Sequence, residues 1–187
     1  MLPELLQKAN LFHILFVFDE QLACKTKAGR CPFCCDILDW GNYPRKPRGE
    51  LCKVADEDMI RFSLCCRNPN CRRRTKPPSC RFFGRKVYWS CVILVVMAFR
   101  QNRPHGHSAA KLREKLGVSH QTIARWIRYF REEFPPSDQW KRLRGKVVGT
   151  IKDSQLPSNL LRHFADECRS EEKGMVKCLW FLASGLL

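Results

Sequence analysis

Apolar residues recur along the chain at helical spacing in four regions, and that spacing divides it into elements. Over residues 3–28, Leu5, Leu6, Leu11, Phe12, Leu15, Phe16, Phe18 and Leu22 predict one helix with a broad apolar surface. It should pack on the rest of the chain or on a second copy. Residues 85–100 are apolar nearly all round, through Val87, Trp89, Cys91 to Val96, Ala98 and Phe99, which predicts a helix buried on several sides. From His107 to Phe134 the pattern predicts two helices joined by a tight turn. Ser108 is placed to cap the first, which carries Leu112 and Leu116. Gly117 ends it, because glycine enters the left-handed conformation without steric penalty. Val118 plugs the corner, and Ser119 is placed to cap the second helix. There Ile123, Trp126, Ile127 and Phe130 fall at i, i+3, i+4 and i+7. His120, Gln121, Thr122, Arg125 and Arg128 occupy the other face. Two more helices are predicted at about Ser158 to Cys168 and Glu171 to Ser184. Their apolar residues suit a hairpin that either docks on the core or meets another protein.

Residues 29–80 follow a different pattern. Turn formers (Gly41, Asn42, Pro44, Pro47, Gly49) precede a short predicted strand, Met59 to Leu64. Cys31-Pro-Phe-Cys34 stands before them and Cys65-Cys66-Arg-Asn-Pro-Asn-Cys71 after them. Two thiolates two residues apart form one knuckle of a zinc site, and knuckle, hairpin, knuckle is the plan of a zinc ribbon. A tetrahedral ion would stabilise a module too small to do so by burial alone. The expected metal ligands are Cys31, Cys34, Cys66 and Cys71, with Cys65 the rival of Cys66. Those two cannot both reach the ion, since neighbouring strand side chains point to opposite faces. The other cysteines read as plain buried or surface thiols. The fold class is therefore mainly α with a small β zinc ribbon, a three-helix helix-turn-helix domain and helical termini. The segments are 1–28, 29–80, 85–134 and 135–187, with Pro77-Pro78 as a linker.

The 12 cysteines of the 187 residues carry no sign of export. The apolar run Leu11 to Phe18 has only Lys8 before it and Asp19 and Glu20 after it, without a small-residue cleavage site. A cytoplasmic chain is expected, where paired cysteines suggest metal rather than disulfides. Cys91 to Phe99 is too short for the roughly 20 apolar residues of a bilayer span, so no membrane is expected. The 34 Lys and Arg against 18 Asp and Glu give a net charge of +16, which implies an anionic partner. Between Asp58 and Glu114 there is no acid, while Arg61, Arg67, Arg72, Arg73, Arg74, Lys76, Arg81, Arg85 and Lys86 lie in that interval. Such an unmixed run favours a surface that tracks phosphates. Arg45, Lys46 and Arg48 look like an exposed loop that adds to it.

A short helix, a glycine turn and a second helix with a polar, basic front is the geometry that enters a DNA major groove. The string LGVSHQTIARW resembles the helix-turn-helix of bacterial repressors and insertion-sequence transposases. With CPFC, RFSLCCRNPNCRRR, PPSCRFFGRKVYW and LGVSHQTIARWIRYFREEF, roughly residues 28–134 resemble a zinc-ribbon plus helix-turn-helix protein of bacterial mobile elements. The resemblance implies a protein encoded with, or derived from, a transposase, which becomes a candidate partner beside double-stranded DNA and a second copy. Such transposases carry a ribonuclease-H-like domain after this module; about fifty residues follow Phe134, too few for it. Asp138, Asp153, Asp166 and Glu167 therefore read as surface acids, and no enzyme is expected. By this reading His120, Gln121 and Arg125 meet base edges. Thr122, Arg128, Arg72, Arg73, Arg74 and Lys76 hold phosphates. Two rival readings remain: a zinc-stabilised protein adaptor, and a metal-dependent nickase using His105 and His107 with Tyr88 or Tyr129.

Overall fold

The computed structural model describes residues 2–49, 51–84, 86–102, 110, 114–147 and 151–185. The predicted first helix is two: α1, Leu2–Leu5, and α2, Ala9–Ala28, separated by a turn. Leu11, Phe12, Leu15 and Leu22 of α2 are buried. The helix ends where Gly29 closes onto the Lys25 carbonyl and Arg30 turns to a φ of 64°.

Among the described residues five short strands follow: β1 Leu38–Trp40, β2 Tyr43–Pro44, β3 Ile60–Arg61, β4 Leu64–Cys66 and β5 Arg74–Thr75. β4 is the middle of an antiparallel sheet ordered β1-β4-β5, and β2 pairs with β3 in a separate antiparallel ribbon. The single strand expected over Met59 to Leu64 is thus split. Met59 closes a 3-10 turn, and β3 and β4 serve different sheets.

The helix expected over residues 85–100 begins five residues later, as α3, Ser90–Asn102. Tyr88 and its neighbours bridge Arg48 instead, with Arg48 N–H donating to Val87 O and Trp89 N–H to Arg48 O. From Ser90 to Ala98 every side chain of α3 is buried. It runs through the main core, packing against α4 (His120–Arg128), α6 (Ser158–Cys168) and α7 (Glu171–Ser184). α2 closes the core from the other side, with Phe12 edge-on to Trp89 at 4.8 Å and contacts to α7.

After α4 the chain widens into a π-helical turn, Tyr129–Glu133, which carries Phe130 and Phe134 into the core. Then α5, Asp138–Arg144, is capped by the Ser137 side chain and buries Trp140, whose indole N–H donates to Asp153 at 2.8 Å. The last two helices have the predicted bounds and form the tightest helical pair. A Cβ on Gly174 would stand 2.5 Å from Ala165 Cα, so only glycine allows this approach. The pair docks on the core through Leu160, Leu161, Met175, Leu179 and Leu182.

Pro77 and Pro78, expected as a linker, are buried, as are residues 79–82 after them. Arg81, fully inaccessible, donates from Nε to Asp19 at 2.9 Å, and its other nitrogens reach Asp58 O and Ile60 O. Asp19 also accepts from Ser79 Oγ and Cys80 N–H. A buried charge persists only when paired and hydrogen-bonded, and here both ions are. Among the described residues no helix is long and apolar enough to cross a membrane.

Candidate functional site

Two turns bring four thiols together. Just beyond α2, Cys31 begins a turn closed by Cys35 N–H on Cys31 O, and Cys35 takes a φ of 59°. At the far end of β4, Cys66 leads into a loop where Cys71 and Arg72 N–H both bond Asn68 O and Arg72 takes a φ of 46°. Each turn therefore aims two sulfurs inward. The sulfurs of Cys31, Cys34, Cys66 and Cys71 all lie within 4.8 Å of one another. Cys31 and Cys71 are 3.8 Å apart, and Cys34 and Cys66 3.3 Å. A tetrahedral ion with sulfur ligands at about 2.3 Å spaces them by about 3.8 Å. The cluster can thus hold a metal ion after small adjustments of the sulfur positions.

Leu38 and Leu64 wall the cluster from behind as a small core of their own. Cys65, the rival of Cys66, turns away, its thiol directed to the carbonyls of Cys66 and Arg72. Strand alternation decides between them: Cys66 faces Leu38, and Cys65 faces Asp39. Burial acts to raise the Cys31 thiol, but N–H groups of Phe33 and Cys34 hold it down to about 7. Burial, with Cys34 beside it, pushes Cys66 up to about 12. Cys24, Cys35, Cys52, Cys80, Cys91, Cys168 and Cys178 stay outside the cluster and form no disulfide among the described residues.

The basic residues divide into structural and free ones. Arg61 and Arg81 are buried; Arg61 donates to Pro77 O. Arg45 donates to Gly84 O and Lys86 O, so it ties the loop down rather than extending from it. Arg67 holds Asp39 through two bonds of 3.0 and 2.7 Å. Arg74 donates to Gly41 O and Ser63 Oγ. Arg72 and Arg73 are exposed beside the cluster, Arg73 lying over the Phe33 ring at 4.5 Å, and Lys76 is exposed just past β5. Lys46 and Arg48 are also exposed.

Of the predicted helical pair, the second member is described in full. Residues 114–116 are helical, and Gly117 reverses the chain at a φ of 62°. Ser108, Lys111, Leu112 and Arg113 lie outside the described residues. Val118 is fully buried, and Ser119 caps α4 by accepting Thr122 N–H. Ile123, Trp126 and Phe130 are buried; Trp126 stands edge-on to Tyr88 at 5.1 Å. His120, Gln121, Arg125 and Arg128 are exposed on the opposite face. Thr122 Oγ1 lies 2.9 Å from Ser119 Oγ, and Arg128 lies 3.5 Å from Glu133. Tyr88 is buried and donates its hydroxyl to Gly117 O. Tyr129 is half-buried under the Lys86 ammonium, and burial raises its phenol. His105 and His107 lie outside the described residues.

The Asp19–Arg81 pair and the exposed rings near the cysteines were not among the expected residues. A signal for the first was present: Asp19 continues the apolar spacing Leu11, Leu15, Leu22 of α2, so a carboxylate there needs a buried partner. Compared with protein-family models, with curated proteins and with solved structures, the chain finds no match in any of the three.

Proposed function

We propose that the protein binds double-stranded DNA through α4 and through a cysteine module that holds zinc. The observation that carries this reading is the division of α4: an apolar back of Ile123 and Trp126 in the core, and an exposed front of His120, Gln121 and Arg125. That front follows a glycine turn and a serine cap, in a chain of net charge +16. A helix so mounted fits a major groove. Gln121 can bond adenine and Arg125 guanine in bidentate fashion, with His120 beside them. Arg72, Arg73, Lys76 and Thr122 hold phosphates; Arg74 and Arg128 join them only by releasing Ser63 and Glu133. Four soft thiolates in tetrahedral spacing select zinc over hard cations. The protein would serve as an accessory to a transposase or as a transcriptional regulator.

Fluorescence anisotropy on duplex DNA tests this. Arg125→Ala should relax base preference and cost about 1–3 kcal/mol, whereas Arg73→Ala should weaken all sequences alike. A uniform loss in both variants would refute the base-reading role. A second reading, a protein adaptor, draws on the apolar groove between α2 and α7 lined by Ile14, Phe18, Val176 and Trp180. Salt separates the two, because affinity carried by phosphate contacts falls steeply as salt rises and an apolar interface does not.

A further inference from the structure

The cysteine module exposes rings where a duplex-phosphate role needs none. Phe33 is 57% and Trp40 45% exposed. Each carries a cation: the Arg73 guanidinium lies 4.5 Å from the Phe33 centroid, and the Lys27 ammonium 5.9 Å from that of Trp40. Both rings belong to one side of the sheet. Trp40 shares a face of β1 with Leu38, which lies opposite Cys66. Arg73 alternates with Arg74, whose strand partner is Cys65 on the other face, and Arg73 brings Phe33 with it.

The acids nearby are few, and one of the two is ion-paired. Residues 29–49 contain only Asp36 and Asp39, and residues 60–76 contain none. Asp36 accepts the Ile37 N–H, and Asp39 is bound twice by Arg67. The two segments thus carry a strong excess of cations, with Asp36 the one carboxylate in them that no cation pairs among the described residues. Stacked bases inside a duplex hide their π-faces, so exposed rings gain nothing from them. Unpaired bases offer those faces while their phosphates meet the cations, which is how non-specific single-strand sites are built.

We propose that this face binds unpaired nucleotides, with bases stacking on Phe33 and Trp40 and the backbone running past Arg73 and Lys27. The site is separate from α4 and stands whether or not α4 reads duplex DNA. The test uses the full, metal-loaded chain with labelled oligo-dT and oligo-rU strands of about sixteen nucleotides, beside a blunt duplex. The two strands distinguish a DNA from an RNA source for the same chemistry, and binding of either supports the site. Phe33→Leu and Trp40→Leu should each weaken strand binding by roughly five- to hundredfold. Metal content and duplex affinity should stay as in the wild type, and Phe33→Tyr, which keeps the ring, should restore strand binding. The proposal is overturned if the wild-type chain binds neither strand, or if Phe33→Leu and Trp40→Leu bind as the wild type does. It is also overturned if only Arg73→Ala weakens binding, since charge alone would then account for it. Loss of duplex readout in Arg125→Ala, or its absence, leaves these outcomes untouched.

Discussion

Asp19→Ala should be among the most damaging single substitutions outside the cysteine cluster. Asp19 and Arg81 are both completely inaccessible. Removing the carboxylate strands the Arg81 charge and takes an acceptor from Ser79 Oγ and Cys80 N–H. Breaking a buried pair from one side costs about 3–5 kcal/mol, because the remaining ion has lost its counter-charge. The two neutral donors add to this unless water enters. Against a total stability of roughly 5–15 kcal/mol, that is a large share. At about 2–4 °C per kcal/mol for a chain of this size, a loss of about 4 kcal/mol lowers Tm by roughly 8–16 °C. Urea unfolding followed by tryptophan fluorescence reads the change, since Trp89 and Trp140 are buried. Arg81→Met alone should cost a comparable amount by stranding Asp19. Asp19→Leu combined with Arg81→Met should recover most of the loss, because an apolar pair of similar volume leaves no buried charge. A cost below about 1 kcal/mol for Asp19→Ala, or losses in the double variant that simply add, would refute the argument that the pair acts as a unit.

Three further outcomes follow from the same geometry. Cys34→Ser or Cys71→Ser should abolish stoichiometric metal in elemental analysis while Cys65→Ser keeps it; metal loss on Cys65→Ser would overturn the choice of Cys66. The Cys66 thiol sits near 12 and Cys34 is also raised, so at neutral pH metal uptake must displace protons. Affinity should therefore rise with pH and fall on acidification, and an indicator dye in weak buffer should register released protons; uptake without release would contradict the thiolate site. Gly174→Ala should destabilise the helical pair. The added Cβ meets Ala165 backbone at 2.5 Å, an overpacking cost of about 1–3 kcal/mol that outweighs the roughly 1 kcal/mol gained in helix propensity. An increase in Tm would show that α6 and α7 can separate freely.

Much of this architecture was legible because it is local. Ser119 caps α4, Gly117 adopts positive φ, and the stripe of Ile123, Trp126 and Phe130 is buried, since capping and periodicity depend on residues a few positions apart. The final two helices keep their predicted bounds for the same reason. The cysteine spacing also carried over, because each knuckle is a short turn that needs no distant contact to aim its sulfurs.

What the sequence could not supply were the long-range partners. Arg61 and Arg81 read as part of a continuous positive run, yet one is held by Pro77 O and the other by Asp19, sixty-two positions away. Charge counted along a chain does not reveal which cations are already buried and engaged. The start of α3 moved to Ser90 because Arg48 claims the backbone of residues 87–89, a competition invisible to helical periodicity. Cys66 prevailed over Cys65 only once β1 set the register of β4. The sequence alone determined the helix after Gly117 with its Ser119 cap, the final helical pair and the pairs of sulfurs, because those follow from neighbouring residues. The tertiary structure decided which charges are buried, which thiol turns inward and which rings meet solvent, because each depends on a contact closed across tens of residues.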